Sequence, residues 1–420
     1  MNIRRLFAIA ATTSCVAASS LHADGFLLDQ TARASGSADA VVAQVNDPSA
    51  ILFNPGALGL LKKKKGVVLG ITESELRPFQ FQGLAPGAGA GTTGEQKTSL
   101  NTLPHAFLTL PFGKRVVYGL GAYNSFRANT EWSNPDVFSG RFLATRSQIE
   151  STDVTAAAGL QVTPSFGIGA GAIYRTSKIL LDRHIATVVS GTSHDIATEA
   201  IKTDSQSTTG WTAGMLLRAS PSFAIGASYR SEFTTTFKGA GKLTQVLTGD
   251  SQLDQLVAAS FPFNTDIAIQ SQLSMPAQMT GGLAFGSEPA TFEVDVTRTN
   301  WKRMQQIVFN FPNNASLSTN YPLNLKDTTD FRAGLKYQFP TGPIVRVGYA
   351  VEKSPQPDET ISPFFAALGR NTATLGFGLD WLDLAVGYST FSKRSVTTSL
   401  NGFNGNYRGN EWFFAMTATK

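Results

Sequence analysis

Alternation between apolar and polar residues is the clearest pattern in this chain. Over residues 331–339 every second residue is apolar, and the residues between them are polar, charged or glycine. The turn 340–343 follows directly, and the same alternation resumes over 345–351. Because neighbouring side chains of a strand point to opposite faces, this stretch predicts a hairpin with one apolar and one polar face. A soluble β-sandwich could contain such a hairpin, so one example does not decide the fold class.

The alternation, followed along the whole chain, predicts fourteen strands. Their connections alternate in length, with turns such as 111–114 between some strands and loops such as 127–149 between the next. Short periplasmic turns, long outer loops and an even strand number are typical of a bacterial outer-membrane barrel. We therefore predict an all-β fold, a 14-stranded antiparallel transmembrane β-barrel. The predicted strands lie near 66–76, 99–110, 115–126, 150–162, 166–180, 205–219, 222–237, 273–287, 290–311, 324–340, 343–353, 370–380, 382–398 and 407–419.

Two segments do not follow the strand pattern. Residues 24–61 precede the first strand, are rich in Ala, Ser and Asn, and do not alternate. They form either a disordered tail or a plug, also called a hatch, inside the barrel. In the loop 238–272, four apolar residues have helical spacing, which predicts a short amphipathic helix. These residues are Leu253, Leu256, Val257 and Phe261.

The first residues have the features of a secretory signal peptide. Arg4 and Arg5 precede an apolar stretch over 6–18, and Ala23 supplies the small residue before the predicted cleavage site. Cys15 is the only cysteine and lies in this segment, so the mature chain would have no disulfide. After it, no apolar run approaches the roughly 18 residues that a membrane helix needs. A mature chain that spans a membrane must therefore do so as a closed barrel.

Candidate catalytic and metal-binding groups are sparse. His105, His184 and His194 are scattered without metal-ligand spacing. The glycine-rich stretch 167–171 lies within a strand pattern with no helix after it, so we expect it to leave room in the lumen rather than to bind phosphate. The formal net charge of +5 is too small and scattered for nucleic-acid binding. We predict no enzyme activity, no cofactor, no metal and no nucleic-acid partner.

Charged residues on the polar faces of the strands should point into the barrel. They are Arg175, Arg230, Arg332, Lys336 and Arg346, with Glu293 and Asp295 to oppose them. One interpretation is a charge network that fills and stiffens the lumen. The other is a site for an anionic headgroup.

Several motifs, in order, resemble those of the FadL-type outer-membrane transporters, which carry long-chain fatty acids and, in some relatives, aromatic hydrocarbons. Four short motifs between Asp24 and Leu58 resemble the N-terminal hatch of that family, and further similarity is spread over the rest of the mature chain. The motifs are Asp24-Gly25-Phe26, Ala34-Ser35-Gly36-Ser37-Ala38, Asn46-Asp47-Pro48-Ser49, Asn54-Pro55-Gly56-Ala57-Leu58, Leu273-Ser274-Met275-Pro276, Val345-Arg346-Val347-Gly348-Tyr349 and Lys353-Ser354-Pro355-Gln356-Pro357-Asp358-Glu359. The family's Asn-Pro-Ala is here Asn-Pro-Gly.

The resemblance implies a route for a hydrophobic ligand. In the family, the ligand binds in an outer groove between loops, passes to a pocket inside the barrel, and leaves sideways into the membrane at a kink in the third strand. The hatch residues would be Phe53, Asn54, Pro55 and Gly56. The substrate-binding residues would be Asn54, Arg183 and Lys326, of which the two cations suit a carboxylate. Gly119 and Gly121 would permit the kink.

These observations give one leading hypothesis and several alternatives. We expect a signal peptide (1–23), a hatch (24–64) and a barrel (65–420) in the outer membrane of a Gram-negative bacterium, in contact with lipid and lipopolysaccharide and acting as a monomer. Its function would be passive uptake of hydrophobic compounds, most of all long-chain fatty acids. The alternatives are uptake of neutral aromatic or alkane hydrocarbons, a polar-solute porin whose N-terminal segment lies outside the lumen, and a surface adhesin.

Overall fold

The computed structural model describes residues 30–420, so the predicted signal peptide and the motif at 24–26 lie outside the described residues. Strands dominate this range. In chain order they are β1 (Gly66–Gly83), β2 (Thr93–Glu95), β3 (Ser99–Phe112), β4 (Val116–Glu131), β5 (Arg146–Thr163), β6 (Phe166–Val189), β7 (Thr192–Thr203), β8 (Gln206–Ser220), β9 (Phe223–Arg230), β10 (Phe233–Gln245), β11 (Asp266–Met275), β12 (Gln278–Ser287), β13 (Ala290–Thr299), β14 (Gln306–Phe309), β15 (Thr319–Pro322), β16 (Thr328–Gln338), β17 (Ile344–Glu352), β18 (Arg370–Gly378), β19 (Leu382–Phe391), β20 (Arg394–Val396) and β21 (Gly405–Thr419).

Helices are short. The α-helices are α1 (Ala32–Ser35), α2 (Ala50–Phe53) and α3 (Ser251–Ser260), and 3-10 turns cover Pro55–Leu60, Trp301–Arg303, Ala315–Leu317 and Asp358–Thr360. Within residues 30–420, none of the helices combines the length and the apolar character needed to cross a membrane. The helix predicted in the loop 238–272 is α3, and the Asp250 side chain caps it by accepting hydrogen bonds from the backbone N–H groups of Gln252 and Leu253.

Fourteen strands of the described chain form one closed antiparallel barrel, which confirms the predicted fold class. They are β1, β3, β4, β5, β6, β8, β9, β12, β13, β16, β17, β18, β19 and β21. The ring closes where β21 pairs with β1, from Val68 opposite Thr419 to Gly83 opposite Gly405. Connection lengths alternate as predicted: residues 164–165 join β5 to β6, whereas 190–205 lie between β6 and β8.

The two faces of the barrel wall also follow the prediction. On β17, Val347 and Tyr349 are half exposed on the outside of the ring, whereas Arg346 is buried inside. An apolar band on the outer surface is what a hydrocarbon environment requires. The alternating pattern therefore fixes both the strand and the direction of its side chains.

Three strands form an extension at the long-loop end that the sequence did not predict. The upper half of β6 leaves β8 and pairs with β7, which pairs with β10, and β10 pairs with β11. The predicted strand 222–237 is therefore two strands, β9 and β10, and the predicted strand 290–311 ends at Thr299. The predicted loop 181–204 is largely strand, and the predicted loop 238–272 contains the end of β10, helix α3 and the start of β11.

Residues 30–61, here called the plug, lie inside the barrel and contact its wall on several sides. Asn54 Nδ2 donates to the Met215 carbonyl of β8 at 2.9 Å, and Ala32 N donates to Thr417 Oγ1 of β21 at 2.8 Å. Two glycines of the wall make room for it. A Cβ at Gly169 would overlap the Pro55 carbonyl, and one at Gly119 would lie 2.6 Å from Ile51 Cγ1. The glycine-rich stretch 167–171 thus leaves space in the lumen, as expected.

Candidate functional site

A cavity lies between the plug and the wall, and it is called the luminal cavity below. Its apolar lining comes from plug residue Phe53, which is partly exposed, and from the buried side chains of Phe126, Met275 and Trp301. Three arginines also line it: Arg175, Arg230 and Arg332. A cavity whose lining combines apolar side chains with polar and charged groups is suited to a ligand with a hydrophobic body and a polar end.

Two of these arginines share one carboxylate. Arg175 binds Asp153 through two hydrogen bonds of 2.7 and 2.9 Å, and Arg230 reaches the same carboxylate at 3.1 Å. Asp153 is fully buried. Arg230 also donates to the Tyr123 hydroxyl at 3.0 Å, and the Arg175 guanidinium lies 3.8 Å from the Phe233 ring centroid. With two guanidinium groups and one carboxylate, this cluster keeps a positive charge at the cavity wall.

The third arginine belongs to a separate network. Arg332 donates to Glu352 at 2.6 Å and to the Thr297 hydroxyl at 3.2 Å. Glu352 also accepts a hydrogen bond from Arg370. Asp39 of the plug lines the cavity as well. The arginines predicted to face the lumen are therefore inside it, and three of them face one cavity.

The two predicted carboxylates face the lumen, but within the described residues they form no ion pair with the arginines. We expected Glu293 and Asp295 to balance the arginines, but both accept hydrogen bonds from backbone N–H groups of the plug. The arginines pair instead with Asp153, Glu352 and Asp383, which the sequence analysis missed. Asp153 lies opposite Arg175 in the β5–β6 ladder, so counting outward from the tight turn at 164–165 could have found that pair.

The barrel wall is interrupted beside the luminal cavity. The β3–β4 ladder ends at His105 opposite Tyr123. Beyond that point β3 continues to pair with β1 as far as Ser99, and β4 with β5 as far as Glu131. In the described structure the ladder between β3 and β4 does not resume, and an isolated bridge between Gln96 and Trp132 bounds the gap at its far end.

A β-bulge produces this gap. The register of β4 against β5 shifts between Asn124 and Phe126, so Ser125 is an extra residue that turns the strand. Pro104, the next residue of β3, has no N–H to donate to a ladder. Gln30 of the plug donates to the Asn124 carbonyl at 2.8 Å. β4, which is the third strand of the barrel, is thus irregular at Ser125. The irregularity does not lie at Gly119 or Gly121, the positions where the sequence would permit a kink.

The predicted hatch residues lie together against the wall. Asn54 is fully buried, its Nδ2 donates to the carbonyls of Val42 and Met215, and its Oδ1 accepts from the Gly56 N–H at 3.0 Å. Pro55 and Gly56 begin the 3-10 turn that Asn54 caps. Phe53 lines the luminal cavity, whereas Asn54 fixes the plug to β8.

The two cations assigned by resemblance lie apart from this cavity. Arg183 donates to Glu199 Oε2 at 2.5 Å and to Thr319 Oγ1 at 3.2 Å, and it lines a cleft at the long-loop end with Asp136 and His184. Lys326 is exposed, and its backbone N–H donates to the Pro355 carbonyl. Neither contributes to the lining of the luminal cavity.

A groove at the long-loop end is lined by the outer ends of β1 and β21 and by a loop residue, Phe138. Phe81, Phe138 and Tyr407 form its floor, and Arg394 and Arg408 lie on its rim. Arg394 is paired with Asp358. Among residues 30–420, no group of three or more His, Cys, Asp or Glu side chains is placed to hold a metal ion.

Comparison with known proteins identifies the family. Residues 14–420 match the family described as outer membrane protein transport protein (OMPP1/FadL/TodX). The chain belongs to this family. It is therefore an outer-membrane transport channel for hydrophobic compounds and not an enzyme, with short turns at the periplasmic end and long loops outside. The FadL-type resemblance inferred from the motifs is confirmed.

Solved structures of this family share the fold. The structure of a Pseudomonas aeruginosa FadL homologue is 19% identical, with a TM-score of 0.80, and the match covers 94% of this chain and 99% of that one. The toluene transporter TodX of P. putida is 14% identical, with a TM-score of 0.65, and covers 92% and 97%. The CymD monoaromatic hydrocarbon channel is 15% identical, with a TM-score of 0.63, and covers 94% and 98%. Curated protein sequences gave no match.

Proposed function

We propose that this channel takes up long-chain fatty acids. The observation that carries the proposal is that Arg230 and Arg332 line the same cavity as the apolar side chains of Phe53, Phe126 and Trp301. A guanidinium carries five N–H donors, so both side chains keep donors beyond those that bind Asp153 and Glu352. A carboxylate is the headgroup that such donors bind best. The acyl chain would lie against Phe53, Phe126 and Trp301.

The proposed route has three stages. The substrate first binds the outer groove, where Arg408 attracts the carboxylate and the loops provide apolar contacts. It then enters the luminal cavity and binds beside Arg230. From there the gap between β3 and β4 leads sideways into the membrane, because Asn124, Ser125 and Phe126 line both the cavity and the gap. A hydrophobic chain released in this way enters lipid without passing through water.

Uptake of neutral aromatic or alkane compounds is the second candidate. Two observations favour it: Arg183 and Lys326 lie away from the luminal cavity, and Asp153 already neutralises part of the charge of Arg175 and Arg230. On this alternative the arginines only stiffen the wall. The relatives titled toluene transporter and monoaromatic hydrocarbon channel make this a natural comparison substrate.

Substitution of Arg230 distinguishes the two candidates. In cells lacking their own fatty-acid channel, the wild-type chain should restore oleate uptake. Arg230→Met keeps the bulk of the side chain and leaves Asp153 paired with Arg175. If the carboxylate binds Arg230, oleate uptake falls by about tenfold or more, as the loss of a charge-assisted hydrogen bond predicts, while toluene uptake is unchanged.

Two further variants complete the test. Arg298→Met removes an exposed cation elsewhere on the surface and should leave both substrates unaffected. An Arg183→Ala, Lys326→Ala double variant tests the residues assigned by resemblance. If oleate binding falls more in this double variant than in Arg230→Met, the headgroup binds in the outer cleft that Arg183 lines and not beside Arg230. Equal oleate and toluene uptake by wild type and Arg230→Met would favour the hydrocarbon function.

A further inference from the structure

Two buried carboxylates on β13 have no role in the proposed transport route. Glu293 and Asp295 are two residues apart, so their side chains share the inner face of the strand. They are 0% and 1% exposed. Within the described chain neither forms an ion pair with an arginine or lysine, although Arg332 lies opposite Asp295 in the β13–β16 ladder. Burying two neighbouring carboxylates without a cation is costly unless other donors compensate.

The compensating donors come from the plug. Asp295 Oδ2 accepts from the backbone N–H groups of Val41 and Val42 at 2.9 and 3.1 Å, and Glu293 Oε1 accepts from that of Ala43 at 2.5 Å. Three consecutive backbone donors thus converge on two side chains of the wall. In the part of the chain that the structure describes, Glu293 Oε2 and Asp295 Oδ1 accept no backbone N–H of the plug. The two carboxyl groups contact each other instead, and the Gln44 side chain of the plug contacts Glu293.

These contacts lie between two cavities. The luminal cavity is lined by Val42, Thr297 and Arg332. A second cavity, called the periplasmic cavity here, is lined by Val41, Gly334 and Lys336 and reaches the short turns at residues 288 and 379. On β16, Arg332 lines the luminal cavity, whereas Gly334 and Lys336 line the periplasmic cavity. Asp295 and Glu293 lie opposite Arg332 and Gly334 in the β13–β16 ladder, at the level where the two cavities meet. Plug residues 41–43 therefore separate the two spaces.

We infer that Glu293 and Asp295 are positioning residues that hold plug residues 41–43 as the partition between the luminal and periplasmic cavities. The inference rests on the proposed transport function only in that the partition keeps substrate from descending to the periplasm. The hydrogen bonds that position residues 41–43 do not depend on which substrate the channel carries. Without the two carboxylates, three buried N–H groups lose their acceptors. Plug residues 41–43 then move so that water can bind these N–H groups.

A glycine beside the pair provides a second way to disturb it. A Cβ at Gly282 on β12 would overlap Asp295 Oδ1 and lie 3.0 Å from Glu293 Oε1. Gly282→Ala therefore displaces the carboxylates from the positions in which they accept the plug N–H groups, without removing a charge. Gly281, its neighbour in the chain, faces outward with nothing within 4 Å of an added Cβ. Gly281→Ala is thus a matched control on the same strand.

The experiment measures conductance in planar lipid bilayers, which needs no hydrophobic substrate. The full-length wild type, Glu293→Ala/Asp295→Ala, Gly282→Ala and Gly281→Ala are compared after circular dichroism has verified barrel folding. In parallel, Val42→Cys is introduced into each chain and its reaction with a membrane-impermeant maleimide is followed. Residues 30–420 contain no native cysteine, so labelling reports on position 42.

We expect the double alanine variant and Gly282→Ala to raise mean ion conductance by roughly tenfold or more, because the loss of even one hydrogen bond to a charged acceptor raises the population of the displaced plug segment by about that factor. The thiol introduced by Val42→Cys should become reactive in both, and it should stay protected in the wild-type and Gly281→Ala backgrounds. Unchanged conductance in the folded double variant would overturn the inference, even with a reactive thiol at position 42. So would an equal rise in Gly281→Ala. A change in oleate uptake in Arg230→Met would test the transport proposal and would leave this inference unaffected.

Discussion

Asp153 sets the charge balance of the luminal cavity, because two arginines depend on it. We expect Asp153→Ala to lower the free energy of unfolding by about 3–5 kcal/mol, since Arg175 and Arg230 would remain buried without their counter-charge. Urea unfolding of the detergent-solubilised protein, followed by tryptophan fluorescence, measures this loss. Asp266→Ala removes one exposed carboxylate and serves as the control. Equal stability of the two variants would contradict the assigned role of Asp153.

Asn54 makes a different contribution, because its side chain joins two parts of the plug to the wall. Removing it in Asn54→Ala leaves the buried carbonyls of Val42 and Met215 without their donor, at a cost of about 2 kcal/mol. The expected result is faster hydrogen exchange at the Gly56 amide, which loses its acceptor. Asn46→Ala, at an exposed plug position, should leave exchange unchanged. Protection that survives in Asn54→Ala would show that packing alone holds this turn.

At the scale of one element, the bulge in β4 determines whether the wall is open. Deleting Ser125 restores one-to-one pairing of β4 with β5 and turns the strand back toward β3. We expect the deletion to slow transfer of a fluorescent fatty acid into the surrounding bilayer, with binding in the cavity retained. Stopped-flow fluorescence of reconstituted vesicles measures the rate. Ser125→Ala keeps the extra residue and should match wild type, so slow transfer in both variants would place the exit elsewhere.

The outer helix α3 is tied to its loop by a carboxylate. The N–H and hydroxyl of Thr248 donate to Asp254, and these hydrogen bonds hold the pKa of this exposed carboxyl below its ordinary value. A lowered pKa in the folded loop means that the contact stabilises above the ordinary pKa of Asp and is lost as the pH falls through the lowered value. Hydrogen exchange of residues 248–260 should therefore rise only in acid. Asp254→Asn should remove this pH dependence.

The elements that the sequence predicted are those on which the membrane imposes a pattern. A barrel strand must place apolar residues on alternate positions, so β16 and β17 were found with their faces assigned. The extension formed by β7, β10 and β11 lies beyond the membrane and needs no apolar outer face, so its residues looked like loop. For the same reason β6 was predicted to end near 180. Its actual end at Val189 places Arg183 in the outer part of the strand.

The candidate site was predictable only in part. Strand faces showed that Arg175, Arg230 and Arg332 point inward, but which of them share a cavity depends on how β6, β9 and β16 are arranged around the ring. The gap beside Ser125 also escaped prediction. A bulge changes the pairing of one strand against its neighbour, and alternation within a single strand does not reveal that. Pro104, without an N–H inside a predicted strand, was the one local indication.

On the scale of the whole molecule, the barrel wall and the plug are held in place by different kinds of contact. The wall is held by its closed ladder, whereas the plug is attached by polar contacts such as Arg33 with Asp383 and Ala38 with Thr374. These contacts can exchange for water without opening the ring. On the proposed route, a substrate would pass sideways through the wall while the axial path stays closed.

Removing the plug should convert the channel into an open pore. We expect deletion of residues 24–61 to leave a folded barrel, because the ladder from β1 to β21 does not include them. Inward polar groups such as Asp383 and Thr374 would then line an aqueous passage. Liposome swelling with arabinose should rise well above the wild-type level, and selectivity for oleate should fall. Deletion of 251–260, which removes the outer helix α3 and leaves the plug in place, is the control and should leave swelling at the wild-type level. Swelling that stays at baseline in the folded plugless barrel would mean that other residues block the axial path.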